Sequence, residues 1–584
     1  MKKPQRELTK RVPRVPAQSG RFTALDADKL RGGYYTSPEL ASWLCAWGVR
    51  SAGDAILEPS CGDGSFIEAA AGRLRDLGAT APAISRQVRG IEINAAEAKK
   101  AQERLAGVAR SRTSASVENM DFFEWWSQRN GARFDCIVGN PPFIRYQSFP
   151  EPSRTRAMEI MRALGLTPNK LTNIWVPFVA ASTACLRDGG RLALVLPAEL
   201  LQVKYASQLR SFLVDRFERV DIVACNELFF DNAEQEVVLL LADGALATAS
   251  EKNTCQVALT EAKRVEEITG RAPAVVLAKA SPKLVRHDSE KWLKYFLSSR
   301  EIGFMRALRE SAQAVPLSAH AEVDVGVVTG KNAFFVLSQE QIEDHALDEY
   351  ATRLVGRSAQ LRGAKLTSAE WQSLAGSGER VFLFHVPTSV NGSLSDAGRR
   401  YVQLGEAQRV HHGFKCSGRS PWYSVPSVYE PDCFFFRQIY DFPRLVVNSA
   451  GATSTDTIHR LRCKASATKV AQSLYTHLTA ASAEIEGRSY GGGVLELEPT
   501  EAERLLMPAQ LGNGLSITEC DRLIRAGRLD EVLKENDRLI LQDGLGLSAA
   551  ECNMLRRIWE KMRNRRMNRR RIPNTRVVMA GGEG

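Results

Sequence analysis

The first half of this sequence predicts an α/β fold built on a doubly wound sheet. Three observations lead there. From residue 34 to about 243, short β-branched or aliphatic runs alternate with longer helical patterns. A glycine loop follows the first run directly, and acidic residues stand at the tips of the next ones. The strand candidates are 55–58, 88–93, 134–138, 191–197, 219–224 and 236–242, with helical spacing at 65–77, 95–106, 175–186 and 205–217. This places one α/β unit at 31–245, after a basic arm at 1–30. Residues 246–315 read as a less regular connection. Residues 316–510 are rich in Gly, Ser, aromatics and short strand-like runs without βαβ rhythm, so they are expected to form a separate mixed α/β domain. Helical spacing returns over 511–584, which contains an arginine run.

Composition narrows the class. With 44% apolar and 25% charged residues the chain reads as globular, and no run of about 18 apolar residues offers a membrane span. No apolar segment follows the N-terminal Met-Lys-Lys-Pro-Gln-Arg, so a cytoplasmic protein is expected. The 11 cysteines include no Cys-x-x-Cys pair, which points to reduced thiols. His411, His412, Cys416 and Cys433 match no standard zinc spacing, and no metal is expected. The net charge of +11 sits at the ends: residues 1–21 hold seven basic and one acidic side chain, and residues 556–571 hold nine and one. The body between is slightly acidic, so any nucleic-acid surface in it must arise by local sorting of charge, with the ends adding non-specific affinity.

Ile56-Leu57-Glu58-Pro59-Ser60-Cys61-Gly62-Asp63-Gly64-Ser65-Phe66 runs from an apolar strand through a glycine loop into a helix start. Glycines let a ligand approach the backbone closely, and the helix presents its positive end. Glu92, in Gly90-Ile91-Glu92-Ile93, is the acidic strand tip that a ribose hydroxyl pair requires. Asp121 is spaced to hold an adenine amino group, with Phe122 against its ring. Three strand ends thus converge on one nucleoside in a Rossmann-like arrangement. Thr36 and Ser37 precede Pro38 and a helix, as a cap or as part of the same site.

After the strand ending at Gly139 comes Asn140-Pro141-Pro142-Phe143. An exocyclic amine conjugated to a base ring is a poor nucleophile, because its lone pair is delocalised. An asparagine oxygen and a proline-locked backbone carbonyl, both acceptors, can hold its N–H bonds and aim the lone pair at an electrophilic methyl. The prolines stiffen the loop, and Phe143 can stack on the base.

At these residues the chain resembles the amino-methyltransferases. Its motif order is similar to that of the gamma-group, TaqI-like DNA adenine-N6 methyltransferases of restriction-modification systems, with Tyr35-Thr36 first, the Glu58–Phe66 loop next, Asn140–Phe143 after it and a target-recognition domain last. The resemblance implies S-adenosyl-L-methionine as cofactor, bound by Thr36, Glu58, Ser60, Gly62, Glu92, Asp121, Phe122, Asn140, Pro142 and Phe178. It implies catalysis by Asn140, Pro141, Pro142 and Phe143. The segment Asn226-Glu227-Leu228-Phe229-Phe230-Asp231-Asn232 is similar to the one whose aromatic holds the opposite face of an extruded adenine, and Phe230 is chosen over Phe229. Double-stranded DNA is the implied partner, a cognate restriction endonuclease is expected to act separately, and the chain is expected to be a monomer. About 30 residues precede the cofactor segment, so no fused nuclease is expected there. Lys331, Asn332, Arg419 and Arg437 are the DNA-binding candidates of the recognition region. The same lone-pair logic leaves N4-cytosine methylation open, as well as RNA or protein amino-methylation. A catalytically dead DNA-binding module is the alternative from outside enzymology.

Overall fold

The computed structural model describes residues 36–109, 116–129, 131–225, 236–246, 255–284, 291–387, 394–490 and 493–568. Phe229, Phe230, the N-terminal arm and the arginines at 569–571 lie outside them. Nine strands form the main sheet: β1 (Ile56–Glu58), β2 (Val88–Glu92), β3 (Val117–Asn119), β4 (Phe134–Gly139), β5 (Leu186–Pro197), β6 (Phe217–Cys225), β7 (Val237–Ala245), β8 (Gln256–Ala262) and β9 (Lys283–Leu284). Their order is β3-β2-β1-β4-β5-β7-β6-β8-β9. Strands β1 to β5 run parallel, and β7 is inserted antiparallel between β5 and β6. The chain winds outward through β2 and β3, then returns to place β4 beside β1, with Ile56 opposite Cys136. That reversal leaves a crevice beyond the carboxyl ends of β1 and β4, where open α/β sheets bind ligands.

The helices α1 (Pro38–Gly48), α2 (Ser65–Asp76), α3 (Ala81–Gln87), α4 (Ala95–Ala109), α5 (Phe122–Gln128), α6 (Ser153–Ala163), α7 (Trp175–Ala184) and α8 (Ser207–Arg216) complete this half. Helix α1 starts as its sequence dictates: the Ser37 hydroxyl accepts from Leu40 N at 3.3 Å and Pro38 occupies the first turn. It buries Leu40, Trp43, Leu44 and Trp47. A Cβ on Gly48 would lie 2.6 Å from Cys136 Sγ, so glycine there permits the contact between α1 and β4.

The six strands expected from sequence form at those positions. Strand β3 went unread because three residues carry no usable periodicity. Strand β8 lies inside 246–315, the stretch expected to be an irregular connection, and pairs with β6 from Arg219 opposite Gln256 to Cys225 opposite Ala262. Its inner residues are buried in an unbroken run, with the turn Trp292–Phe296 packed on it, so alternation gave no signal.

The C-terminal half is mixed α/β. A five-stranded sheet joins Ala321–Asp324, Ile458–Cys463, Cys433–Phe436, Leu445–Ser449 and Lys365–Thr367, and a four-stranded one joins Val336–Leu337, Phe382–Phe384, Ala351–Val355 and Thr453–Ser454. One hydrophobic cluster runs from Leu57 through both halves to Met562. Gln202 and Ser489 exchange two hydrogen bonds across them, at 2.9 and 2.8 Å.

The helix Ala549–Met567 carries the described part of the basic C-terminal run. Several of its cations are paired within the protein: Arg556 with Glu560, Lys561 with Glu301, Arg563 with Asp441 and Arg565 with Glu261. Arg566 is 2% exposed and pairs with the equally buried Glu484 at 2.5 Å, while also donating to the Tyr440 carbonyl at 2.9 Å. Helical phase carries these side chains inward, which net charge does not reveal. Removing one partner strands a buried charge, whereas replacing both with apolar residues does not. Arg566→Met should therefore lower stability by about 3–5 kcal/mol in denaturant unfolding, and the Arg566→Met/Glu484→Leu pair should recover most of that.

Candidate active site

A cleft of about 470 Å³ opens beyond the ends of β1, β2 and β4. Thr36, Glu58, Ser60, Gly62, Glu92, Asp121, Phe122, Asn140, Pro142 and Phe178 all line it, so the ten residues expected around a nucleoside cofactor meet at one place. The loop after β1 is shaped by its glycines. Gly62 and Gly64 have φ of +50° and +91°, and a Cβ on Gly64 would lie 2.6 Å from the Ala101 backbone of α4. Asp63 closes the turn by accepting from the Ser65 amide and hydroxyl, and Arg104 of α4 pairs with Asp63 at 2.6 Å and Glu68 at 2.8 Å.

Glu92 is held by two backbone amides, Gly62 N to Oε2 at 2.9 Å and Asn94 N to Oε1 at 2.7 Å. Each carboxylate oxygen keeps a further lone pair for a ligand hydroxyl. Burial pushes the Glu92 carboxyl above its ordinary range despite those amides. Asn119 braces the tip of β2 by donating to the Glu92 and Ile93 carbonyls. Asp121 spends Oδ1 on capping α5 through Glu124 N at 2.9 Å. Phe122 stacks on Phe178 with ring centroids 5.1 Å apart.

Two atoms of the cleft show that the site is built for a ligand. Glu58 is 2% exposed, and its Oε2 has no partner among the described residues; the same holds for the Ser60 hydroxyl. A buried polar atom left unsatisfied costs about 1–3 kcal/mol, which a bound polar group recovers. With the glycine cradle, the Glu92 carboxylate and the Phe122–Phe178 stack, these residues fit an aminoacyl nucleoside such as S-adenosyl-L-methionine.

On the asparagine–proline loop, Asn140 follows the last residue of β4, Gly139, whose φ is +152°. Its Nδ2 donates to Thr36 Oγ1 at 3.3 Å, tying the segment before α1 to the loop. Asn140 and Pro142 face the cleft, while Phe143 packs half-buried between the sheet's two hydrophobic clusters. The Ile144 carbonyl accepts from Ile174 N at 3.0 Å, fixing the far end of the loop on α7. Burial pushes the Cys136 thiol up to about 12 and Cys61 well above its ordinary value, so neither is a thiolate near neutrality.

Sequence reasoning missed Ile93, 66% exposed at the tip of β2, along with Met120, Ile144 and Phe149, all on the cleft wall. Only an apolar residue directly after the acidic tip hinted at the first. Among the DNA-binding candidates, Lys331 and Asn332 are exposed. Arg419 donates to the Thr329 and Val328 carbonyls at 2.9 and 2.6 Å, and Arg437 pairs with Glu496 and Glu498. Both guanidinium groups brace the protein. Among the described residues no three His, Cys, Asp or Glu side chains are grouped to hold a metal ion, and no helix is long and apolar enough to cross a membrane.

Burial, together with the Glu92 and Asp63 carboxylates, raises the Glu58 carboxyl well above its ordinary value. The folded chain therefore keeps a proton there that the unfolded chain has lost, and stability falls as pH rises through that window. Glu58→Gln should flatten this dependence and raise Tm near neutrality by roughly 1–2 °C in the ligand-free protein. Parallel Tm–pH curves for the two proteins would contradict it.

Known proteins agree with this geometry. Residues 74–229 match a family described as the Eco57I restriction-modification methylase, and residues 289–541 match the C-terminal domain of the Type II methyltransferase M.Eco57I; the two cover well over half of the chain. The chain is 24% identical to the Type II methyltransferase M.AccI of Acinetobacter calcoaceticus over 64% of its own length and 69% of the relative's. It is 24% identical to M.PaeR7I of Pseudomonas aeruginosa over 63% and 65%. Among solved structures, the Type IIL restriction-modification enzyme MmeI in complex with DNA superposes with a TM-score of 0.52 at 12% identity, covering 93% of this chain and 80% of that one, which establishes a shared fold. The match to two parts of one methylase family, joined to a cleft whose residues fit an aminoacyl nucleoside, makes this chain a DNA methyltransferase of the restriction-modification kind with S-adenosyl-L-methionine as its cofactor.

Proposed function

We propose that the chain methylates the exocyclic N6 of adenine in a specific duplex sequence, with the target base rotated out of the helix, and that it marks host DNA against a cognate restriction endonuclease acting as a separate protein. The observation that carries this reading is the position of Asn140-Pro141-Pro142-Phe143 at the end of β4, beside the cofactor cleft and tethered to Thr36.

In this reading Glu92 accepts from the ribose hydroxyls, Asp121 and Phe122 hold the adenine of the cofactor with Phe178 behind them, and the unsatisfied oxygens of Glu58 and Ser60 receive polar groups of the same molecule. When bound, the cofactor supplies an electrophilic methyl. Asn140 Oδ1 and the Pro141 carbonyl accept from the two N–H bonds of the target amine, which draws its lone pair out of conjugation and toward the methyl. An amine inside a base stack cannot reach that loop, so the base must leave the duplex. Phe143 stacks on one face of it, and Phe230, outside the described residues, is assigned to the other. No covalent enzyme intermediate is needed, and the buried Cys136 thiol packs against α1 rather than reacting.

Nucleoside analysis of duplex methylated by the chain should give N6-methyladenine; N4-methylcytosine would overturn the base assignment. In single-turnover transfer, Asn140→Ala should lose roughly 10²–10³-fold in rate with cofactor and DNA affinities retained, because it removes an interaction needed chiefly in the transition state. Phe143→Ala should weaken holding of the extruded base, and Cys136→Ser should keep full activity. Glu92→Ala should weaken cofactor binding by about 1–3 kcal/mol in calorimetry; unchanged affinity would remove the ribose role.

A further inference from the structure

Resting on the reading of duplex DNA as substrate, we infer that Phe414 is an aromatic wedge that packs onto the bases of bound DNA while surrounding cations grip the phosphates. Phe414 is 88% exposed at the start of the short helix Phe414–Ser417, far more than Val325 and Leu404 of the same region at 38% each. Elsewhere on the two loops Phe334, Phe335 and Trp422 form an aromatic cluster, with Trp422 5.5 and 6.3 Å from the two phenylalanine rings.

The loop bearing Phe414 touches a second loop. A Cβ on Gly330 would lie 3.0 Å from Lys415 Cβ and 3.1 Å from Cys416 Sγ, and Arg419 bonds the Val328 and Thr329 carbonyls. The two segments brought together, 325–339 and 407–429, contain no Asp or Glu at all, in a chain whose 584 residues include 67. Exposed Lys331, Arg409, His412 and Lys415 lie on these loops, and Arg380 joins them by donating to the Ala333 carbonyl at 2.7 Å. Glu406, just before the second segment, accepts from the Trp422 indole. Since the body of the chain carries no bulk positive excess, this is a place where charge is sorted locally. An exposed ring amid cations, on loops pinned by internal hydrogen bonds, matches the way apolar wedges and aromatic platforms engage bases beside a neutralised backbone. Lys415 Nζ lies 5.6 Å from the Phe414 ring centroid, so a cation stands beside the ring itself, an arrangement that pairs a phosphate with a stacked base; an apolar partner would leave the cation unexplained.

The test is fluorescence anisotropy of the full chain with a fluorescein-labelled duplex across a salt series. Phe414→Ala should bind about tenfold more weakly with an unchanged salt slope, and Phe414→Trp should restore binding. Lys331→Ala and Lys415→Ala should each weaken binding and lower the slope of log affinity against log salt by roughly one. Calorimetry with S-adenosyl-L-methionine should give wild-type cofactor affinity for all of them, which establishes that they fold. Wild-type affinity in Phe414→Ala, while the parent chain binds duplex, would overturn the wedge alone. Failure of the parent chain to bind duplex would overturn the DNA reading on which it rests.

Discussion

The parallel pairing of β4 against β1, after the chain has gone out through β2 and β3 and come back, is the constraint on which the rest of the molecule depends. It sets the glycine loop after Glu58 beside the asparagine–proline loop after Gly139, so that both open onto one crevice. That pairing needs close packing on the sheet face covered by α1, α2 and α4. Gly48 lets α1 approach Cys136, and Gly64 lets the start of α2 approach α4, so glycines and a small buried thiol are packing requirements of the same junction.

Within the crevice, polar atoms are buried before their partner arrives. Glu58 and Ser60 carry unsatisfied oxygens, and Glu92 is held in place by two amides and by the Asn119 brace. Such a site stores a desolvation cost in the free protein and recovers it on binding, which favours a ligand with hydroxyls and charged groups at matching positions over an apolar one. The aromatic wall of Phe122 and Phe178 supplies the complementary apolar surface.

The two halves of the chain are one mechanical unit. A continuous hydrophobic cluster crosses between them, and the terminal helix sends Arg565 to Glu261 of the main sheet and Arg566 to Glu484 of the C-terminal half. The C-terminal half is thereby fixed at a set place relative to the asparagine–proline loop. The cations involved look, in composition, like those that would bind phosphate; burial gives them a different task.

The sequence by itself determined the α/β character of the first half, the positions of six of its strands, and the lining of the cleft by residues of the glycine loop, the acidic strand tips and the asparagine–proline loop, to which the family resemblance added Thr36 and Phe178. These are legible because each depends on local chemistry: an apolar run before a glycine turn, an acid at a strand end, prolines stiffening a loop. Tertiary structure alone decided the rest. Strand β8 is buried in an unbroken run and so lacked the alternation that marks a half-exposed strand. Ile93 joins the cleft only because the sheet brings its tip there, Arg419 and Arg437 turn inward to carbonyls and carboxylates far away in sequence, and Arg566 is carried into the core by helical phase. The common reason is that a side chain's partners across the fold, which no local pattern encodes, determine whether its polar or apolar atoms meet protein, ligand or water.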